Sequence, residues 1–236
     1  MSSRENKYSK IAIVSAMEVE LEYADRFLTG REGWVKLTEN SYQYLNGTTV
    51  YTRVVGAGKV NSAFQTSDVI NEYHPDLVVN VGYAGGLAKG ARKGDVAIGT
   101  DYVQVDFYPF IGQRPPEAET PQFLIDALQK EAKELEIPVF TGKIATGDFF
   151  LHSAEEKKRI ISEFEPIAFD MESAAIAQVA AYKNVDFAVL RTFSDLADDD
   201  ALDSITDTSI QQENIKISIE QRPIVLLLST LEKLVF

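Results

Sequence analysis

The chain has 236 residues, of which 45% are hydrophobic and 25% charged, and its formal net charge at pH 7 is −13. A surface this acidic repels phosphate backbones and anionic lipid, so the composition argues against binding to nucleic acid or to a membrane surface. There is no cysteine and there are only two histidines, which excludes disulfides, thiolate zinc sites, a cysteine nucleophile and a histidine-rich metal site.

The N-terminal segment carries no recognisable targeting signal. Residues 1–9 are polar and are expected to be disordered or loosely held. The apolar run that follows, Ile11–Val14, is too short for a signal peptide core or a membrane span. The expected location is therefore the cytoplasm. Because no segment has the length and composition of a linker, residues 1–236 are predicted to form one domain.

Strands and helices alternate along the first half of the sequence. The periodicity of apolar residues predicts, in chain order, strand Ile11–Val14, helix Met17–Leu28, strand Thr48–Val55, helix Val60–Tyr73, strand Asp76–Val81 and strand Val96–Ile98. Two of these strands lead into glycine clusters, which are typical of turns: Gly56 and Gly58 after the second strand, and Gly82, Gly85 and Gly86 after the third.

The alternation continues after a proline-rich loop at residues 106–121. The predicted elements are helix Gln122–Glu136, strand Val139–Thr146, helix Ala154–Phe164, strand Ile167–Phe169, helix Met171–Tyr182 and strand Phe187–Phe193. Near the C-terminus Ile215, Ile217 and Ile219 alternate as in a strand, but Val225–Leu234 favours a helix, so a helix is predicted there. Pro223 must break or kink any helix that spans both segments. These elements predict an α/β fold around a largely buried sheet.

Polar residues follow nearly every predicted strand, in the turns where α/β proteins bind their ligands. They are Glu18 and Glu20, the two glycine clusters, Asp148 with Phe149 and Phe150, Asp170 and Glu172, and Ser194 and Asp195. Each has an ordinary structural explanation: a glutamate in a first helical turn stabilises the helix dipole, which is the preferred interpretation of Glu18, and a Ser-Asp pair often caps a helix. Neither glycine cluster matches a Walker motif or a full dinucleotide fingerprint. Their shared location at one rim of the sheet nevertheless favours a functional site.

Several carboxylates at one rim are suited to cleaving a bond to a sugar. Two carboxylates flanking such a bond are the minimal equipment for glycoside hydrolysis through an oxocarbenium-like transition state, one as general acid and one as general base. A third carboxylate can hold sugar hydroxyls, and its charge favours the developing cation.

At these same positions the sequence contains seven motifs in register between Ile11 and Asp198. They are Ala16-Met17-Glu18-Val19-Glu20, Gly56-Ala57-Gly58-Lys59-Val60, Asn80-Val81-Gly82-Tyr83-Ala84-Gly85-Gly86, Lys93-Gly94-Asp95-Val96, Thr146-Gly147-Asp148-Phe149-Phe150, Asp170-Met171-Glu172-Ser173-Ala174-Ala175 and Arg191-Thr192-Phe193-Ser194-Asp195. In order and spacing they resemble the nucleoside phosphorylase superfamily, most closely its methylthioadenosine/S-adenosylhomocysteine nucleosidase branch. The resemblance implies a three-layer α/β/α fold with a central mixed, largely buried sheet.

The resemblance also implies residue roles. Asp195 would protonate the five-membered ring of the purine, and Glu20 would orient and deprotonate the attacking water. The other positions that match the family's substrate site are Glu172 on the ribose hydroxyls, Met171 against the sugar, Phe150 stacked on the base, the Leu151 backbone at the base edge, Ser194 beside Asp195, Arg191 near the water, and Tyr83, Ala84 and Gly85 of the second glycine motif.

The implied activity is hydrolysis of the N-glycosidic bond of 5'-methylthioadenosine and/or S-adenosylhomocysteine, which releases adenine and a thioribose product for methionine salvage. The resemblance implies a homodimer and neither metal nor organic cofactor. The alternative is a purine or uridine phosphorylase. Family phosphorylases have an arginine in the first strand-to-helix turn, another before the second glycine motif and a hydroxyl residue within it. This chain has Glu18 and Glu20, Asn80 and Tyr83 at those places, which leaves no cation to neutralise phosphate and favours hydrolysis.

The chain departs from the nucleosidase pattern at four places. Tyr83 stands where a small hydroxyl residue is usual, and Asp170 replaces the usual glutamate. The 106–116 loop matches only in fragments such as Gly112-Gln113-Arg114-Pro115, and the segment after Asp198 does not align. These departures concern substrate preference, so an adenosine- or futalosine-preferring nucleosidase is a second alternative. A non-enzymatic nucleoside-binding protein is a third hypothesis, but such a protein would be expected to lose the acid or the base, and both are present here.

Overall fold

The structure is a computed structural model that describes residues 8–107, 118–198, 200–201 and 217–234. Within these ranges the strands are β1 (Lys10–Ser15), β2 (Trp34–Thr38), β3 (Ser41–Tyr44), β4 (Thr49–Val54), β5 (Leu77–Gly86), β6 (Val96–Gln104), β7 (Val139–Thr146), β8 (Ala168–Asp170) and β9 (Asp186–Asp195). The helices are α1 (Glu18–Thr29), α2 (Lys59–Tyr73), α3 (Gln122–Glu134), α4 (Ala154–Phe164), α5 (Ser173–Lys183) and α6 (Arg222–Leu234), with a 3-10 turn at Ile219–Gln221.

Strand β1 shows why helices cover both faces of the sheet. Its side chains alternate between two buried cores because successive residues of a strand point to opposite faces. Ile11 and Ile13 pack into the core beneath α1, α3 and α6, whereas Ala12 and Val14 pack into the core beneath α2 and α5. The predicted three-layer α/β/α arrangement with a buried sheet is therefore confirmed.

The sheet is mixed, and part of it closes on itself. Its strand order is β2-β3-β4-β1-β5-β8-β7-β6-β9, and β5 also pairs with β9, so that β5, β8, β7, β6 and β9 form a ring. Strands β1, β4, β5 and β9 run parallel to one another. Strands β6, β7 and β8 also run parallel to one another but opposite to that set.

In this mixed sheet the polar clusters follow strands of both directions. Strand β8 meets β5 antiparallel only at its tip, where Phe169 pairs with Gly85 and Ala168 with Gly86. The carboxyl end of β8 is consequently directed back toward the middle of β5. The two oppositely directed sets of strands thus bring their carboxyl ends together beside β5.

The second glycine cluster is a part of β5 and does not form the predicted turn. Strand β5 continues through Gly86, because β9 pairs with it from Leu77 to Gly85 and β8 pairs with Gly85 and Gly86 beyond the end of β1. The hairpin of β2 and β3 was not predicted. Strand β2 lies at the sheet edge with Val35 and Leu37 exposed, so it lacks the buried alternation that marks the other strands.

The predicted C-terminal helix is confirmed as α6. It begins at Arg222, so Pro223 lies in its first turn, where a missing N–H costs no helical hydrogen bond. Ile219 belongs to the 3-10 turn and not to a strand, and Ile215 lies outside the described residues. Residues 108–117 of the proline-rich loop lie outside them as well.

Two residues of the N-terminal segment predicted to be loosely held are bonded to the sheet. The Tyr8 hydroxyl donates to Asp186 Oδ2 at 2.7 Å, and the Ser9 N–H and hydroxyl donate to Asp76 Oδ2, each at 2.8 Å. Residues 1–7 lie outside the described part. Among the helices that the structure describes, none is both long enough and apolar enough to cross a membrane.

Candidate active site

The Glu20 carboxylate lies buried at the end of β1, in the first turn of α1. Its Oε2 accepts the backbone N–H of Met17 at 2.9 Å, and its Oε1 accepts the backbone N–H of Tyr83 at 3.0 Å. These bonds tie α1 to β5 and hold both carboxylate oxygens in place. Glu18, two residues earlier, is exposed, as the helix-dipole interpretation requires.

A buried arginine connects Glu20 to two further carboxylates. Arg191 on β9 is 1% exposed. Its Nε donates to Asp170 Oδ2 at 3.0 Å, its Nη2 donates to Glu172 Oε2 at 3.1 Å, and its Nη1 lies 4.0 Å from Glu20 Oε1. The guanidinium is both a structural ion pair and a neighbour of the predicted water-activating carboxylate. We name Glu20, Asp170, Glu172 and Arg191 the carboxylate cluster.

Asp170, one of the predicted rim carboxylates, orients this guanidinium. Its Oδ1 accepts the Thr146 hydroxyl at 2.6 Å and the Ser173 N–H at 3.1 Å, and its Oδ2 accepts the Ser173 hydroxyl. Asn80 donates from Nδ2 to the same Ser173 hydroxyl oxygen at 3.1 Å. Sequence reasoning missed this buried network, although a serine directly after Glu172 and an amide at position 80 were available as signals.

The carboxylate cluster has a negative electrostatic potential because three buried carboxylates surround one guanidinium. Burial raises the pKa of Glu172, and the nearby charges of Asp170 and Glu20 raise it further. Arg191 and the Gly58 N–H act to lower this pKa but do not outweigh the rise. For Arg191, burial acts to lower the pKa, but the three carboxylates outweigh it and the pKa is raised. A site of this kind stabilises positive charge that develops next to it.

The close approach of side chains to β5 explains Gly82. A methyl group at this position would overlap both Glu20 Oε1 and Arg191 Nη1. The absence of a Cβ therefore lets the two charged groups meet over the strand.

Asp195, the last residue of β9, pairs with Gly85, which lies three residues after Gly82 on β5. It is 2% exposed, its Oδ2 accepts the Ser194 hydroxyl at 2.7 Å, and its Oδ1 accepts the Ala197 N–H at 2.7 Å. A Cβ on Gly85 would lie 3.2 Å from Asp195 Oδ1. Burial raises the pKa of Asp195, and the charge of Asp198 adds to the rise, although the hydrogen bonds from Ser194 and Ala197 act to lower it.

Glu20 and Asp195 therefore face the same strand at two separate points. Gly82 marks the first point and Gly85 the second, and three residues of a strand span about 10 Å. The register of β5 against β9 shifts between Ala84 and Gly85, a bulge that re-aims the chain next to Asp195. The two positions on β5 that these carboxylates approach are therefore separate from one another.

The aromatic residues after β7 lie at the Asp195 side of the fold. Phe149 packs against Phe169, with ring centroids 5.0 Å apart, and Leu151 is buried in the same small core as Ala197. Phe150 is 39% exposed and stacks on His152 at 6.0 Å. Phe149 is therefore partly buried against this core, while Phe150 is exposed to solvent.

The remaining predicted residues line β5 or start α5. Met171 is half-buried directly before Glu172, and the Ala84 carbonyl accepts the Ser194 hydroxyl at 3.5 Å. Tyr83 contributes its backbone N–H to Glu20, and burial raises the pKa of its phenol to about 12, with Glu220 and Glu20 adding to the rise. In the described ranges no group of three or more His, Asp or Glu side chains is arranged to hold a metal ion.

Comparisons with known proteins agree with this architecture. The family model of the phosphorylase superfamily matches residues 10–227. A 5'-methylthioadenosine/S-adenosylhomocysteine nucleosidase from Geobacillus is 35% identical over 199 residues, which is 80% of this chain and 86% of the relative. The corresponding protein of Haemophilus ducreyi is 36% identical over 202 residues, with 80% and 86% covered.

Solved structures give the same result. The Helicobacter pylori nucleosidase of that name, crystallised with butyl-thio-DADMe-Immucillin-A, superposes with a TM-score of 0.80 at 29% identity, covering 95% of this chain and 98% of that one. Helicobacter pylori futalosine hydrolase also gives 0.80, at 28% identity and with the same coverage. The chain therefore belongs to the phosphorylase superfamily, and within it to the branch of the methylthioadenosine/S-adenosylhomocysteine nucleosidases.

Proposed function

We propose that this protein hydrolyses the N-glycosidic bond of 5'-methylthioadenosine and S-adenosylhomocysteine, releasing adenine and the thioribose product. The observation that carries the proposal is the pairing of a buried carboxylate cluster at Gly82 with a separate buried acid, Asp195, at Gly85 of the same strand. A ribosyl purine has the same two-part form, a sugar that becomes cationic and a base that must leave neutral. Relatives with that activity in their names support the substrate class.

Asp195 is proposed as the general acid on the base. Its raised pKa keeps a proton on the carboxyl to higher pH than an ordinary aspartate would, so that it can protonate the five-membered ring of the purine as the bond to C1' breaks. The Ser194 hydroxyl then stabilises the carboxylate that remains, because it already lies 2.7 Å from Oδ2. The adenine leaves as a neutral molecule.

The carboxylate cluster is proposed to act on the ribose. Glu172 is held by the Gly58 N–H at 3.1 Å and by Arg191, and it would accept bonds from the ribose hydroxyls. Glu20 would orient a water molecule and take its proton while the water oxygen bonds to C1'. The charge of the cluster favours the oxocarbenium-like sugar over the neutral nucleoside, and this preference for the transition state accelerates the reaction.

The base would lie between these groups. Phe150 offers its ring face for stacking, the Leu151 backbone offers polar groups for the base edge, and Met171 would pack against the sugar. Ala84 and Gly85 form the floor, where the absence of a side chain on Gly85 leaves Asp195 close to β5.

The charges of the cluster favour water over phosphate as the attacking group. Arg191 is the cation of the cluster, and Asp170 and Glu172 already bond it, with Glu20 4.0 Å away. A phosphate dianion at this place would meet three carboxylates with no unpaired guanidinium to bind it. We therefore propose hydrolysis and not phosphorolysis.

The proposal predicts adenine release that does not depend on phosphate. Initial rates with methylthioadenosine, adenosylhomocysteine, adenosine, inosine and futalosine would be measured by chromatography of the released base, in buffers with and without phosphate. We expect equal rates in both buffers and the highest kcat/KM for the two thioether nucleosides. Release only with phosphate would establish a phosphorylase. A preference for futalosine would indicate a futalosine hydrolase. Binding without release of the base would indicate a non-catalytic nucleoside-binding protein.

We also propose that the protein is a homodimer joined through α2 and α5, which pack against each other. Large apolar side chains are exposed on these two helices: Val60 (78%), Phe64 (64%) and Tyr182 (71%). Val60 and Phe64 are one helical turn apart and share a face. Solvent-exposed apolar residues grouped in this way mark interaction surfaces.

Sedimentation analysis is expected to give twice the chain mass of 26.2 kDa. Phe64→Glu should yield the monomer, because it places a charge in the proposed interface. Leu45→Glu, at an equally exposed leucine in the turn between β3 and β4, should leave the dimer intact. A monomeric wild-type protein would contradict the proposal. A cytoplasmic location and a role in methionine salvage, both expected from the sequence, stay predictions.

A further inference from the structure

Lys59, the first residue of α2, connects segments that follow three different strands. Its backbone N–H donates to Asp148 Oδ1 at 2.8 Å, and its Nζ donates to Asp106 Oδ1 at 2.6 Å and to Gln104 Oε1 at 3.2 Å. Asp106 Oδ2 in turn accepts the backbone N–H of Asp148 at 2.9 Å. Lys59, Asp106 and Asp148 thus form a closed ring of hydrogen bonds, which we name the Lys59 ring.

The Lys59 ring lies between the two halves of the proposed substrate site. On one side, the neighbouring Gly58 N–H donates to Glu172 Oε1 at 3.1 Å, which is the proposed ribose ligand. On the other side, Asp148 is two residues before Phe150, the proposed stacking surface of the base. Strands β4 and β7, which lead into these two segments, are separated in the sheet by β1, β5 and β8. No ladder of backbone hydrogen bonds therefore joins β4 directly to β7.

We propose that Lys59 is a positioning residue that sets the distance between the base-binding and ribose-binding parts of the site. The proposal rests on the proposed function and adds to it a residue that does not itself touch substrate. The Lys59 side chain is 17% exposed and that of its partner Asp106 25%, so this is a partly buried ion pair and not a freely solvated one. Its hydrogen bond contributes to lowering the pKa of Asp106, against the opposing effect of burial, so the aspartate stays ionised for the ammonium.

The distance between the two halves matters because the bond that breaks joins them. The acid acts on the base and the water attacks the sugar, so both must be aligned on one C1'–N9 bond. A misplacement of about 1 Å in such an arrangement can cost about 10²-fold in rate. Each half can still bind its own part of the ligand when the spacing is relaxed.

The test is Lys59→Met, which keeps the length of the side chain and removes the charge. We expect kcat for methylthioadenosine to fall about 10-fold to 100-fold with a much smaller change in KM, because transition-state alignment is lost and ground-state contacts are kept. The inhibition constant of free adenine, which fills only the base half, should stay within about 2-fold, since one face of the site is intact. Lys59→Arg should restore part of kcat, as it keeps the cation.

Two further variants separate positioning from simple loss of stability. Lys143→Met removes another partly exposed lysine, which lies 3.6 Å from Asp101 and bonds no loop of the site, and it should leave kcat unchanged. Asp106→Asn should lower kcat like Lys59→Met, and the double variant should lose little more than either single one, because both break the same ring.

Three outcomes would overturn the inference: wild-type kcat in Lys59→Met, equal losses of adenine and nucleoside affinity, or additive effects in the Lys59 and Asp106 pair. A wild-type protein that releases no base from any nucleoside would instead refute the proposed function. The two failures are therefore distinguishable.

Discussion

Asp195→Asn is expected to lower the rate of adenine release about 10²-fold to 10⁴-fold, the usual contribution of a general acid. The amide has nearly the shape of the carboxyl group, and its oxygen can still accept the Ala197 N–H, but it has no proton to give to the purine. Single-turnover measurements with methylthioadenosine would report the chemical step directly.

Asp195→Asn should not lower the stability of the folded protein. Because the folded-state pKa of Asp195 is raised, its ionised form destabilises the native protein, and this cost sets in as pH rises from the unfolded pKa through the folded one. A neutral amide avoids that cost, so at neutral pH the Tm of Asp195→Asn should equal or exceed that of the wild type. In the wild type, the same titration should make activity fall as pH rises through the raised pKa of Asp195.

Asp198→Asn is the matched control, since Asp198 is the neighbouring carboxylate whose charge acts on Asp195. Losing that charge should lower the pKa of Asp195 and cost only a small part of the activity that Asp195→Asn loses. Near-wild-type turnover in Asp195→Asn would contradict the acid role and leave the leaving base to be protonated by another group.

Glu20→Gln is expected to reduce turnover to a similar extent, about 10²-fold to 10⁴-fold, while nucleoside binding persists. The amide cannot take a proton from water, although one of its positions can still accept the Tyr83 N–H. Calorimetric titration with methylthioadenosine should give a dissociation constant close to that of the Asp195→Asn protein, whose turnover is lowered to a similar extent. The comparison separates the loss of chemistry from the loss of binding.

Glu18→Gln is the control for helix α1, because Glu18 lies in the same first turn but is exposed. It should leave turnover at the wild-type level, since the interaction of an exposed carboxylate with the helix dipole is small. If Glu20→Gln abolished binding, Glu20 would be a substrate ligand and the water would need another base.

The elements of this fold were largely predictable because their signals are local. Strand Val139–Thr146 and helix Ala154–Phe164 have the predicted bounds. Their signals lie within a few residues of each element: the pattern of apolar residues, and for the helix also the Ser153 cap, which accepts the Glu156 N–H. The hairpin of β2 and β3 was missed for the opposite reason. It is held by pairing with β4 and has an exposed edge, and neither feature leaves a periodic pattern in the sequence.

The sequence by itself determined which residue types stand after each strand, and its resemblance to the nucleosidase family implied the acid, base and ribose ligand, Asp195, Glu20 and Glu172. Only the tertiary structure decided how they are oriented. The extension of β5 through its glycines, the antiparallel contact with β8, and the bonds of Asp170 to Arg191 join residues far apart in the chain. Such pairings depend on strand direction and on side-chain length across a closed ring of strands. These properties arise only when the sheet assembles, so they cannot be predicted from periodicity and motif spacing.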